Sequence, residues 1–400
     1  MLLGLGTRAA VQAVYFVIIA RLLGPTGYGA FAGVVALVAL VAPFSGLGMS
    51  GVLLRDVARD HRTFPRSWGD VLMTLSLSGG LLTALVVALA RMILPNAVAT
   101  LLVVAVSVSD LLLAKIVEAG SQAFQAVQQL RETARLPVLM SGFRLAGALV
   151  LLVSDTSSAT TWGALYCFST GLSALVAVRR VHRLLGRPLF NLEGLAGKTK
   201  DSLAFSVGLA AQNAYNDLDK TMLASLSTLA AAGVYSAAYR AVDLAFTPVA
   251  AVLHASYARF FQHGVSSLKA AFKFAQPLLL TMLAYSVLAS GALFFGAAVA
   301  PVILGSRYVA AAEALRWLSL LPFIKTLHYF VANALTGSGY QWMRSIIQTV
   351  VAGANVFLNL WLIPAYSWRG AALASLASDG LLALSLWVVL GILWPRRDTP

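Results

Sequence analysis

Charge is scarce in this chain: 11% of its 400 residues are Asp, Glu, Lys or Arg, while 59% are hydrophobic, and a soluble domain carries about 25% charged residues. A water-soluble globule is thereby excluded, and the mean hydropathy of +0.82 agrees. Alternating polarity is also missing. A membrane β-barrel needs alternating stretches of ~10 residues, whereas 81–90 and 278–300 are almost unbroken apolar runs. Lipid offers no hydrogen-bond partner to an open backbone, so helices of about 20 residues each must cross it. The expectation is an all-α, polytopic membrane protein.

Cysteine is almost absent. Cys167 stands alone in an apolar run, which excludes an intrachain disulfide and leaves no Cys-based metal site. Nucleotide chemistry lacks its parts too. There is no Walker lysine motif, and Gly4-Leu5-Gly6 and Gly46-Leu47-Gly48-Met49-Ser50-Gly51 follow no strand, as a dinucleotide loop requires. His61, His182, His254, His263 and His328 have no metal-ligand spacing, and no G-x-S-x-G elbow occurs. The sequence therefore points to no cofactor, no metal and no soluble-type enzyme.

Acids are outnumbered, 15 to 29, giving a net charge of +14. In a membrane chain such an excess lines the cytoplasmic loops, so nucleic acid is not an expected partner. Polar breaks mark twelve candidate spans: 3–23, 28–54, 71–94, 97–119, 137–154, 160–178, 203–226, 233–258, 277–304, 309–336, 346–363 and 370–394. The first apolar run, behind Arg8, lacks a convincing cleavage site and reads as a retained span. The basic, Gly- and Pro-bearing segment around 186–202 reads as a cytoplasmic linker between a lobe at 1–185 and a lobe at 203–396.

With the N-terminus inside, nineteen cations fall on inner segments, among them Arg55, Arg59, Arg62, Arg66, Arg131, Arg135, Lys198, Lys200, Arg396 and Arg397. Four, Arg21, Arg91, Arg307 and Arg369, fall outside. This bias places both termini in the cytoplasm. Trp68, Trp162, Trp342, Trp368 and Trp394 fall at span ends, where amphipathic rings prefer to sit. A weak repeat relates the halves: a helix with Pro43 follows Gly27, and one with Pro248 follows Gly233. Two parallel repeats would be related by an axis along the membrane normal.

Ionisable groups at bilayer depth carry the functional signal, because each costs roughly 2.5 to 3.5 kcal/mol on insertion scales. Helical spacing pairs Lys115 with Glu118, Asp217 with Lys220, Arg240 with Asp243, and Glu313 with Arg316. Mutual neutralisation inside the bundle and a transport role both account for these eight. Arg21, Arg144 and Lys325 have no partner at helical spacing and are the better contacts for an anionic substrate. Asp110 and Asp379 are likewise unpaired within their helices; they are proton sites, cross-helix partners of those cations, or both. Asp217, Asp219 and Lys220 come late in the seventh span, at a depth similar to Arg240 and Arg21. The expectation is a polar vestibule where the lobes meet.

The run Ala20-Arg21-Leu22-Leu23-Gly24-Pro25-Thr26-Gly27-Tyr28-Gly29, with Leu47-Gly48 and Arg55-Asp56-Val57-Ala58-Arg59, resembles the opening of the polysaccharide transporters of the MOP exporter superfamily, the O-antigen-type oligosaccharide flippases. Asp219-Lys220-Thr221-Met222-Leu223 and Gly233-Val234-Tyr235-Ser236-Ala237-Ala238-Tyr239-Arg240 resemble that family's seventh and eighth helices. The resemblance implies two six-helix bundles in a V around a cavity. It implies flipping of an undecaprenyl-diphosphate-linked oligosaccharide across the cytoplasmic (inner) membrane for surface polysaccharide, with a polymerase or glycosyltransferases as further partners. Substrate contacts would be Arg21, Arg144, Lys220, Arg240 and Lys325; ion coupling would use Asp110, Asp217, Asp219 and Asp379. Many relatives have fourteen helices, so twelve leave the lipid-tail groove without its extra pair. The alternatives are a drug/cation antiporter of the same superfamily, for which Asp110, Asp217 and Asp379 speak, and a membrane glycosyltransferase or ligase, against which the short, acid-poor outer loops speak.

Overall fold

A computed structural model describes residues 2–154, 157–190, 206, 210, 213 and 215–394. The proposed linker from 191 onward, most of 203–214, Asp155 and the cations Arg396 and Arg397 lie outside the described residues. Among those described, regular structure is helical throughout. By length and composition nine stretches among the described residues can cross a membrane, and Ser306–Leu318 with Leu321–Gly337 form one further span bent by 41°. The first stretch, Gly6–Arg59, has 54 residues, about 80 Å of helical rise, and covers two crossings of ~30 Å. Among the described residues these stretches account for eleven of the twelve spans that the hydropathy predicts, and most of the first half of the seventh lies outside them.

The chain divides into two compact units, Met1–Ser225 and Leu226–Pro400. The described residues up to Ser225 cluster with the first unit. Contacts made by the last of them give the reason: Asn213 Nδ2 donates to the Ala39 carbonyl at 2.8 Å, Thr221 Oγ1 donates to the Gly33 carbonyl at 3.2 Å, and Gly33 leaves room for Ala224.

In the first unit α1 (Leu2–Val41) is broken at Gly24, whose φ of 64° suits glycine, and Pro25 opens the next helical segment. The expected span 28–54 is also broken: a 3-10 stretch at Ala42–Gly48 has Pro43 as its second residue and carries Gly46, Leu47 and Gly48 at positive φ before α2 (Met49–Arg59) resumes. Helix α3 (Phe64–Ile93) follows. Next, α4 (Thr100–Val108) runs through a π-helical turn, Ser109–Leu113, into α5 (Ala114–Ala126). Helices α6 (Leu130–Val153) and α7 (Ala159–Leu184) complete the bundle, with residues 215–226 forming α8. Ser158 Oγ caps α7 by accepting the Thr161 N–H at 3.0 Å. Trp68, Phe124, Leu53, Val71 and Val181 form the core of the end that carries α2, α5 and the start of α3.

The second unit opens with α9 (Leu229–Gly264), capped by Thr228, and α10 (Leu268–Gly296), capped by Ser267. Then come α11 (Ala300–Leu304), α12 (Val309–Leu318), α13 (Leu321–Gly337), α14 (Gln341–Tyr366) and α15 (Trp368–Leu393). The expected span 309–336 is thus two helices, with Pro322 at the first turn of α13. Pro248, which matches Pro43 in the repeat, sits inside the continuous α9 while Pro43 starts a break. The halves share positions of proline without sharing its consequence.

Candidate functional site

Each unit holds a polar centre that apolar packing surrounds. In the first, the π turn presents Asp110; turns of this kind recur at functional sites. Arg144 on α6 reaches it, Nη2 to Oδ1 at 3.0 Å, and Arg144 Nε donates to Thr170 Oγ1 on α7 at 3.1 Å. Tyr166 OH lies 3.0 and 3.1 Å from the two Asp110 oxygens, and the guanidinium lies 4.0 Å from the Tyr166 ring centroid. Ser109 Oγ donates to Thr170 Oγ1 at 3.0 Å. The guanidinium is therefore neutralised, hydrogen-bonded and stacked, which is what a buried cation requires. Phe31, Trp162 and Tyr15 continue the aromatic wall: Phe31 lies 5.3 Å from Tyr166 and 5.9 Å from Trp162, and Tyr15 lies 6.4 Å from Trp162.

The same unit carries the Asp217-Asp219-Lys220 cluster on α8. Lys220 Nζ lies 2.7 Å from Asp217 Oδ1 and 3.8 Å from Asp219 Oδ1, and it donates to the Asn216 carbonyl at 2.8 Å. Asp219 is buried and its Oδ1 accepts the Lys220 backbone N–H. Arg21, exposed, stands one turn before the Gly24 break.

In the second unit Lys325 on α13 is buried and donates through Nζ to Tyr239 OH on α9 at 2.7 Å, with Nζ 4.7 Å from that ring's centroid. One turn on, His328 Nε2 meets Asp379 Oδ1 of α15 at 3.0 Å, with both side chains almost wholly buried. Asn355 on α14 donates to Ser378 Oγ at 3.0 Å, and Asn359 Nδ2 donates to Asn355 Oδ1 at 2.9 Å. Arg240 on α9 is half-buried, and Asp243, three residues on, is exposed.

Some of the pairs expected from helical spacing form and others do not. Lys115 meets Glu118 at 2.9 Å, and Asp217 meets Lys220. Glu313 does not pair with Arg316; it takes Arg369, 56 residues on, at 3.0 and 3.1 Å. A two-pronged guanidinium contact across helices is the better geometry for a carboxylate. Arg144 and Asp110, each without an oppositely charged partner on its own helix, are partners of one another. Sequence reasoning about charge missed Tyr166, Thr170, Tyr239, Asn355 and Asn359, and set His328 aside with the other histidines. Counting neutral polar side chains along with charges would have found Asn355 and Asn359, four residues apart in an apolar helix. Among the described residues no group of three His, Cys, Asp or Glu could hold a metal ion.

The fold resembles those of solved transporters. An inward-facing multidrug resistance MATE family transporter of the MOP superfamily superposes with a TM-score of 0.79, at 13% identity over 97% of this chain and 97% of that one. Lipid II flippase MurJ in an inward closed conformation gives 0.72, at 12% identity over 97% of this chain and 87% of that one. A MOP superfamily transporter from Pyrococcus furiosus gives 0.68, at 13% identity over 98% and 95%. At such identities the likeness is one of fold. No curated protein matches the chain. The sequence model of the polysaccharide biosynthesis protein family matches residues 1–263; the chain, a helical membrane protein, belongs to that family.

Proposed function

We propose that the protein is a flippase that moves an undecaprenyl-diphosphate-linked oligosaccharide across the cytoplasmic membrane by alternating access, for surface polysaccharide synthesis. The observation that carries this reading is the family match over 1–263, joined to a fold shared with a lipid II flippase. Arg21, Lys220 and Arg240 would receive the diphosphate through charge-assisted hydrogen bonds. Arg144 and Lys325, stacked on Tyr166 and Tyr239, would hold the bundles' interior and respond to substrate. Asp110, Asp217, Asp219 and Asp379 would couple transport to an ion gradient, with both termini cytoplasmic. A polymerase or glycosyltransferases would supply and consume the cargo.

The test is surface polysaccharide in cells carrying Arg21→Ala or Arg240→Ala. Its loss at unchanged membrane abundance is expected, and wild-type levels in both variants would remove these residues from the site.

A drug/cation antiporter is the second reading, favoured by the TM-score of 0.79 to a multidrug resistance MATE family transporter. Such a protein would present open carboxylates to a cationic drug, whereas Asp110 and Asp379 are engaged by Arg144 and His328. Unchanged drug resistance in Asp110→Asn and Asp379→Asn cells would set it aside.

A further inference from the structure

Outside the two polar centres, Arg344 is a half-buried cation that makes no ion pair among the described residues. Arg144 and Lys220, by contrast, each have a carboxylate within 3.0 Å. Arg344 stands in the first turn of α14, and its side chain runs back to the end of α13, where Nη1 donates to Thr336 Oγ1 at 2.8 Å. Its Nε is buried and has no hydrogen-bond partner. Nη2 has none either, yet it is not among the buried atoms. The guanidinium is therefore desolvated along its stem and open at its tip. The titratable groups that act on it electrostatically are two phenols, Tyr329 of α13 and Tyr257 of α9; no carboxylate is among them.

The shortage of negative charge is regional. Between Asp243 and Asp379 the one acid is Glu313, and Arg369 holds it. Arg259, Lys269 and Lys273 lie at the same end of the unit as Arg344, where α9 stops beside Gly337 and α10 starts. The helix itself adds to them. No acid stands in the first turn of α14 and no side chain caps it. The Arg344 N–H bonds the Tyr340 carbonyl at 3.3 Å, so the N–H groups of Gln341, Trp342 and Met343 are left for an outside acceptor. A cation at that pole opposes the helix dipole, and an anion satisfies both. Phosphate suits the place better than a single-atom anion, because separate oxygens can take Nη2 and the N–H groups of the turn. Phosphates are also what a membrane presents at this depth: Arg344 is about 5 Å of rise from the start of α14, beside the exposed indole of Trp342. We infer that Arg344 and the start of α14 form a phosphate-binding site, filled by an anionic phospholipid headgroup or by free phosphate. None of the cations assigned to the cargo above belongs to it, so the site stands apart from the flippase reading.

The experiment uses the full chain in lipid nanodiscs. Cys167→Ser removes the sole cysteine, and Gln341→Cys, exposed in the first turn of α14, supplies a thiol whose labelling by uncharged N-ethylmaleimide is timed. Three conditions are compared: phosphatidylcholine discs in chloride, discs containing phosphatidylglycerol, and phosphatidylcholine discs in inorganic phosphate at the same ionic strength. Labelling is expected to slow at least threefold with phosphatidylglycerol, with phosphate, or with both, and the pattern identifies the source of the phosphate group. Adding Arg344→Gln should abolish the slowing. Arg259→Gln, which removes an exposed cation from the same end, should keep it. No slowing in either test condition, slowing that survives Arg344→Gln, or slowing lost equally with Arg259→Gln would each overturn the site. Should Arg344→Gln fail to accumulate, Arg344→Lys takes its place: it keeps the charge but loses the guanidinium fork, and less than half of the slowing should remain. Undiminished slowing in Arg344→Lys would equally overturn the site.

Discussion

Arg144 and Asp110 stand 34 residues apart in the chain and meet at 3.0 Å, with Tyr166 closing both ends of the pair: its hydroxyl on the carboxylate and its ring under the guanidinium. Removing one member of such a pair leaves the other charged and buried, which costs more than the pair contributes. Arg144→Met is therefore expected to destabilise the protein by about 3 kcal/mol. Asp110→Leu added to it should restore more than half of that loss, since no lone charge then remains. A double-mutant cycle of unfolding in detergent measures this; additive losses would show that the two side chains do not act as a unit.

The buried contact between His328 and Asp379 ties α13 to α15. If Asp379 couples transport to an ion gradient, Asp379→Asn should keep the hydrogen-bonded geometry with His328 and lose the dependence of transport on an imposed gradient. His328→Leu should lower stability as well, because it strips the carboxylate of a partner. Polysaccharide flux in vesicles with and without a gradient, set beside protein abundance, separates the two. Full gradient dependence in Asp379→Asn would exclude Asp379 from coupling.

Pro137 and Ser121 provide a cleaner test, because they act on one carbonyl. In the natural chain Ser121→Ala leaves the Thr133 oxygen without the donor that replaces a helical N–H, a loss of about 1–2 kcal/mol. In a Pro137→Ala background the backbone at that position regains an N–H for the same carbonyl, and Ser121→Ala should then cost only about a few tenths of a kcal/mol. Equal costs in both backgrounds would mean that the serine holds the two helices by packing alone.

What the sequence made legible follows from the range of its signals. Hydropathy reports the environment of every residue in a span, so twelve apolar segments could be read directly, and Gly24-Pro25 announced a break because only glycine takes that φ without strain. The π turn at Ser109–Leu113 left no mark, since its residues are ordinary helix formers and the extra residue is accommodated by tertiary packing. Spacing rules see one helix at a time. They found Lys115 with Glu118, missed Arg144 with Asp110, and mispaired Glu313, whose partner Arg369 begins another helix. His328 was invisible because a single histidine in an apolar run gains meaning only from the aspartate that a different helix brings to it.

The second unit is also held by glycines that let backbones touch, and these yield the last prediction. A Cβ on Gly264 would collide with the backbone of Gly337 and Ser338, and one on Gly337 with the backbone of Phe260. Backbone cannot swing aside as a side-chain tip can, so Gly337→Ala must push the ends of α9 and α13 apart. Overpacking of this kind costs about 1–3 kcal/mol, and Gly337→Val should reach the top of that range. Gly291→Ala and Gly353→Ala serve as controls, because a methyl at either position meets nothing within 4 Å and each replaces a helical glycine by a better helix former. Unfolding temperature and membrane abundance should fall for Gly337→Ala and hold or rise for the controls. A Gly337→Ala protein as stable as the controls would mean that α9 and α13 cross more loosely than these backbone contacts require.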